Sequence, residues 1–134
     1  MTEATTPRAV AFIGLGKMGL PMVARLVGAG FLVRVSDTSA AARDAAGAAG
    51  VTPFATAAEA AAGADVVITM LPDGKIVRGV LLDGGVADAL AKGALVIDMS
   101  SSGAMQTRAL AADLAARGLR LIDVERRDAV CRRA

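Results

Sequence analysis

The chain is built on short, nearly unbroken apolar segments, most of them closed by glycine, proline or aspartate and followed by a helical, often alanine-rich stretch. The strongest is Ala64 to Pro72, ADVVITMLP; others are Arg8 to Gly14, Phe31 to Asp37, Gly93 to Ser102 and Leu119 to Asp123. VTPF, Val51 to Phe54, is a weaker one. A strand with one face in water alternates apolar and polar residues, whereas a strand apolar throughout is covered on both faces. The intervening stretches have helical character: Leu20 to Gly30, with Pro21 placed in the first turn, Thr38 to Gly50, and about Ala57 to Ala62. Asp73 to Leu82 and Gly85 to Lys92 form one or two more, and Ala104 to Gly118 is amphipathic and ends at glycine. Strand and helix in alternation predict an α/β fold, a doubly wound parallel sheet of about six strands with helices on both faces.

At 134 residues there is one domain's worth of chain, enough to bury a core. That core is made of Ala, Val, Leu, Ile and Met, since there are three Phe and no Trp or Tyr. One cysteine and no histidine exclude a disulfide framework, a zinc cluster and any Ser-His or Cys-His nucleophile pair, so no metal site is expected. The apolar runs are too short to span a membrane, and MTEATTPRAV is not a secretory signal, which leaves a cytoplasmic protein as the expectation. The net charge of +2 resides in residues Glu125 to Ala134, where four arginines face two acids, while the preceding 124 residues balance at 11 basic to 11 acidic. With no aromatic residues among the basic ones, no nucleic-acid surface is expected.

The first strand runs directly into Gly14-Leu15-Gly16-Lys17-Met18-Gly19, a G-x-G-x-x-G that opens a helix. In that context each glycine has its own part. Gly14 permits a tight turn, Gly16 lets the backbone approach a pyrophosphate, and Gly19 lets helix and strand pack closely. The helix N-terminus then offers amide donors and a positive dipole to the phosphates. Lys17 can face those phosphates or stand in solvent. Asp37, with Thr38 beside it, ends the second strand 23 residues after Gly14. An acid there accepts hydrogen bonds from the adenosine ribose and repels a 2′-phosphate, and no Arg or Lys directly follows it, which favours NAD over NADP. The same carboxylate can instead cap the helix starting near Ser39. Arg34, two residues before Ser36, is turned by strand alternation away from the ribose edge. Ligands of open α/β sheets lie beyond the carboxyl ends of strands, so Met70 to Asp73 and Asp98 to Ser102 are the next segments to meet the cofactor; Asp73 and the serines also suit helix caps, and Pro72 can simply end a strand.

Together GLGKMGLPM, VSDTS, VVITMLPDG and GALVIDMSSS resemble the β-hydroxyacid dehydrogenases, the group of 3-hydroxyisobutyrate dehydrogenase, with 6-phosphogluconate dehydrogenase more distant. The resemblance covers about Arg8 to Asp123. It implies a Rossmann-like nicotinamide-cofactor domain over residues 1–124, with the Met70-Leu71-Pro72 loop lining the cofactor through its backbone. Ser100 and Ser101 stand near the nicotinamide ribose, Ser101 replacing the family's usual threonine.

The resemblance also says what is expected after Asp123: a substrate-binding Ser-Gly-Gly turn, then a long helix with a catalytic lysine and asparagine, then a helical domain. Here VERRDAVCRRA follows. None of Lys17, Lys75 and Lys92 suits the catalytic role, so no catalytic residue is assigned. Arginine outnumbers lysine 12 to 3, a sign of GC-rich codons, and codon degeneracy permits Ser-Ser-Gly-Gly-Thr-Pro in the next reading frame. The expectation is a truncated or frameshifted copy that binds NAD(P) without turnover, with residues 125–134 a non-native basic tail. The alternatives are an active oxidoreductase completed by a partner chain, or a non-enzymatic binding or regulatory module. Exposed apolar surface, low stability and self-association follow from the first reading. Sequencing the locus tests it: the next frame downstream is expected to encode a lysine-bearing helical domain, and its absence rejects the frameshift.

Overall fold

The computed structural model describes residues 8–71, 74–100 and 104–124. Among these residues six strands appear in chain order: β1 Ala9–Ile13, β2 Leu32–Ser36, β3 Thr52–Phe54, β4 Val66–Thr69, β5 Leu95–Asp98 and β6 Arg120–Asp123. Between them lie α1 Gly16–Gly28, α2 Ala40–Ala48, α3 Ala57–Ala61, α4 Gly74–Arg78, α5 Val86–Ala89 and α6 Ala104–Ala115, with a π-helical turn at Gly79–Asp83 after α4. All strand pairs are parallel and their order is β3-β2-β1-β4-β5-β6. The expected doubly wound sheet is therefore present, and its sequence order reverses between β1 and β4, where such sheets leave a crevice.

The strand β1 shows why the sheet needs two helical layers. Val10 and Phe12 point into one core, with Leu15 and Val23 of the first crossover and Val33, Val35 and Ala46. Ala11 and Ile13 point into the other, with Val67, Val96, Leu81, Leu110 and Leu114. Alternate residues of one strand thus anchor opposite layers, and Ala11 and Phe12 are both fully buried. The second layer is closely filled by small side chains: Ala60, Ala61 and Ala64 have no exposed surface at all. Exposed ion pairs join Arg78 of α4 to Asp113 of α6, and Arg117 to Asp88 at 3.0 Å. Pairs so exposed contribute little; burial of the two apolar layers holds the helices down.

The boundaries differ from the sequence expectation in instructive places. The helix α1 starts at Gly16, four residues before Leu20, so Pro21 is its sixth residue and lies inside the helix, not in its first turn. The turn is complete at Leu15, and the helix begins immediately with no side-chain cap to mark it. The helix α2 is capped by Ser39, whose hydroxyl accepts from the Ala42 N–H at 3.3 Å. The weak third segment is an edge strand paired only with β2, the setting in which Pro53 is tolerated. The short helix α3 has a complete capping box between Thr56 and Glu59. The basic tail, residues 125–134, lies outside the described residues.

Because Phe12 spans the core beneath α1, shortening it leaves a void that the parallel sheet cannot close. Phe12→Ala is expected to lower unfolding free energy by about 3–5 kcal/mol, read from the urea midpoint by far-UV circular dichroism.

Candidate dinucleotide-binding site

The ladders of β1, β4 and β5 continue one residue past their carboxyl ends, and this builds the floor of the site. The N–H of Gly14 donates to Ser36 O at 2.9 Å, that of Met70 to Ile13 O at 2.9 Å, and that of Met99 to Thr69 O at 2.8 Å. The loops after β1, β4 and β5 are thus hung in order along one edge.

Gly14 brings the first two together. Its φ is +86°, a left-handed conformation that L side chains rarely adopt. A Cβ there stands 2.4 Å from the Met70 carbonyl oxygen and 2.7 Å from Leu71 Cδ2, distances at which no atom fits. Gly19 allows the second close approach: a Cβ there lies 3.3 Å from both Leu15 Cβ and a ring carbon of Phe12. These are the tight turn and close helix–strand packing that the motif requires. The surroundings of Gly16 and the side chains of Lys17 and Met18 lie outside the described residues. Leu15 is 1% exposed and packs in the core, so only its backbone can face a ligand.

Asp37 ties the glycine loop to the tip of β2. One carboxylate oxygen accepts from the Leu15 N–H at 2.8 Å and the other from the Ser39 N–H at 2.8 Å. It does not cap α2, a role Ser39 takes; it holds the two loops on either side of it. Thr38 beside it is exposed. Arg43, one turn into α2, donates to the Asp37 carbonyl at 2.7 Å. The sequence does not announce that guanidinium, because the absence of a basic residue directly after Asp37 says nothing of one brought back by a helical turn.

Between β4 and β5 lies a buried polar cluster. Thr69 Oγ1 donates to Asp98 Oδ1 at 2.9 Å, and the same oxygen accepts from the Ser100 N–H at 2.9 Å. Ser100 Oγ in turn accepts from the Leu71 N–H at 2.7 Å. Thr69, Asp98 and Ser100 are 0%, 1% and 5% exposed. The loops carrying Met70, Leu71 and Ser100 are therefore joined directly; Pro72 and Ser101 lie outside the described residues. Thr69 and Asp98 both fall within segments that the sequence singles out, but only the strand register that sets them side by side reveals their pairing.

The arrangement can hold a polyanion at the uncapped N-terminus of α1, whose first-turn amides have no acceptor within the helix. It offers a carboxylate on one side and two joined loops on the other, the outline of a dinucleotide. A cleft of about 510 Å³ lined by Val27, Phe31, Leu32 and Arg34 opens at the strands' amino ends, opposite this edge. Arg34 faces that cleft, away from Asp37 as strand alternation expects.

This fold and edge define a dinucleotide-binding α/β domain. Residues 9–125 match the NAD binding domain of 6-phosphogluconate dehydrogenase, and the chain belongs to that family. It is 47% identical over 117 residues to the 3-sulfolactaldehyde reductase of Escherichia coli (strain K12), covering 87% of this chain and 39% of that protein. It is 45% identical over 114 residues to a probable 3-hydroxyisobutyrate dehydrogenase of Mycobacterium tuberculosis (strain ATCC 25618 / H37Rv), covering 85% and 38%. Among solved structures, the Mycobacterium tuberculosis 3-hydroxyisobutyrate dehydrogenase with L-serine superposes with a TM-score of 0.82 at 43% identity, over 88% of this chain and 40% of that one. The chain thus spans about two fifths of the length of these relatives. Among the described residues, no helix is long and apolar enough to cross a membrane.

Gly14→Ala adds a Cβ to a left-handed residue already against the Met70 carbonyl. The variant is expected to lose at least about 2 kcal/mol of stability and to bind NADH at least about tenfold more weakly, read by denaturant titration and by calorimetry.

Proposed function

We propose that this chain is the nicotinamide-dinucleotide-binding part of a 3-hydroxyacid dehydrogenase, of the 3-hydroxyisobutyrate type, and that alone it binds cofactor without turning over substrate. The observation that carries the proposal is the Gly14 loop: it opens α1 uncapped, packs against Met70, and is tied through Leu15 to Asp37. In this reading the Gly14 to Gly19 turn holds the pyrophosphate through the amides of Gly16, Lys17 and Met18 at the start of α1, since those of Gly14, Leu15 and Gly19 are bonded within the chain. Asp37 and Thr38 face the adenosine ribose. The Met70-Leu71-Pro72 loop and Ser100 and Ser101 lie along the nicotinamide half. When bound, the cofactor supplies hydride acceptance; the residues of this chain orient it.

The absence of turnover rests on chemistry. Oxidation of a hydroxyacid needs a group that takes the hydroxyl proton. In this reading Asp37 stands at the adenosine end, away from the reacting carbon, and Asp98 is buried within its cluster, so neither is placed to take that proton. The relatives matched are more than twice as long, and their additional length is where the family resemblance places a catalytic lysine.

NAD is preferred over NADP, because the Asp37 carboxylate repels a 2′-phosphate. Arg43 moderates this, its guanidinium standing close to the same edge. With no Trp or Tyr in the chain, NADH fluorescence can be followed with little protein background. Wild type is expected to bind NADH at least about tenfold more tightly than NADPH, with Asp37→Ala narrowing the gap. Equal affinities in wild type reject the preference. In the same preparation, NAD-dependent oxidation of 3-hydroxyisobutyrate or L-serine is expected at background; robust turnover overturns the proposal of binding alone.

A further inference from the structure

We propose that Asp98, with Thr69, is a positioning residue for the nicotinamide half of the site: a buried clasp that fixes the loop after β4 to the loop after β5. The inference rests on the cofactor reading above and adds to it a pair of residues that touch no ligand.

The geometry is a chain of hydrogen bonds running sideways across the sheet edge. The parallel register places Thr69 directly beside Asp98, the last residues of β4 and β5. Their side chains meet at 2.9 Å, with Thr69 fully buried and Asp98 at 1% exposure. Asp98 Oδ1 also takes the Ser100 N–H at 2.9 Å, which turns the backbone just beyond β5. That turn sets Ser100 Oγ 2.7 Å from the Leu71 N–H, beyond the end of β4. The path from Thr69 through Asp98 and Ser100 to Leu71 returns to the loop it left. Met99 N–H to Thr69 O at 2.8 Å closes it on the backbone. A carboxylate so deeply buried is costly to keep unless it is fully hydrogen-bonded, and among the described residues no buried side-chain polar atom lacks a partner.

The consequence is directional. The Gly14 loop and Asp37 sit over β1 and β2, while the clasp sits over β4 and β5. Loosening the clasp releases Leu71 and Ser100, while Met70 stays bonded to Ile13 and the Gly14 loop to Ser36 and Asp37, which leaves the adenosine and pyrophosphate half intact. Hydrogen-bonded supports behind a site act through the accuracy with which they hold the contacting groups.

The test compares two ligands on the 134-residue chain: NADH, which occupies both halves, and ADP, which occupies only the adenosine and pyrophosphate half. Thr69→Val removes the hydroxyl and keeps the shape; Thr69→Ser keeps the hydroxyl. Thr69→Val is expected to weaken NADH binding by about tenfold while ADP affinity stays within about twofold, and Thr69→Ser to restore NADH binding. Asp98→Ala is expected to show the same selective loss in a larger form. If it does not fold, the two Thr69 variants still decide the question. NADH and ADP weakened equally, or NADH unaffected in Thr69→Val with its melting temperature lowered, shows a purely structural role and overturns the inference. If wild type binds neither ligand, the cofactor reading itself fails, which is a distinct outcome.

Discussion

The carbonyl oxygen of Met70 occupies the space where a side chain on residue 14 would begin. Two loops from adjacent parallel strands, β1 and β4, are thereby brought into backbone contact at the point where the strand order reverses. The rest of the carboxyl edge is organised from that contact outward. On one side, Gly14 bonds to Ser36 and Leu15 to Asp37, which fixes the tip of β2. On the other, Met70 leads to Leu71, and Leu71 to Ser100 beyond β5. Each half of the edge has its own ties, and side chains serve there mainly as acceptors for main-chain N–H groups.

Two aspartates serve as such acceptors. Asp37 is half-buried and receives two amides; Asp98 is almost fully buried and receives an amide and a hydroxyl. A carboxylate is a suitable part for such a position, since it has several acceptor sites and no donor to leave unmatched. The two differ in what remains for a ligand. Asp37 lies at the surface, where a ribose hydroxyl can compete for it, whereas Asp98 can act only through its neighbours.

Much of this is legible in the sequence, for physical reasons that also explain the gaps. The strands can be read because a doubly covered strand has no polar face, as in Val66 to Thr69. The glycine motif can be read because it follows such a strand. The start of α1 cannot, since Leu15 caps it without a side-chain hydrogen bond and leaves no Ser, Thr, Asp or Asn to see. Thr69 and Asp98 are 29 residues apart and acquire a relation only when β4 and β5 are set in register. Arg43 reaches Asp37 through one turn of α2, so a search for basic residues directly after the acid passes over it. Lys17, Pro72 and Ser101 are candidates from the motifs and the family pattern alone, since Pro72, Ser101 and the Lys17 side chain lie outside the described residues.

The alanines of the helical layers give the domain an unusual sensitivity. Ala46, Ala60 and Ala61 are among its most completely buried residues, and each contributes only a methyl group to the core. Truncation, the ordinary way to damage a core, has almost nothing to remove at these positions. Enlargement is another matter, because an added methylene must displace a helix seated at methyl distance. Over these helices the damaging direction is therefore growth: sequence drift toward valine or leucine, which most cores absorb, would lift the layer from its sheet.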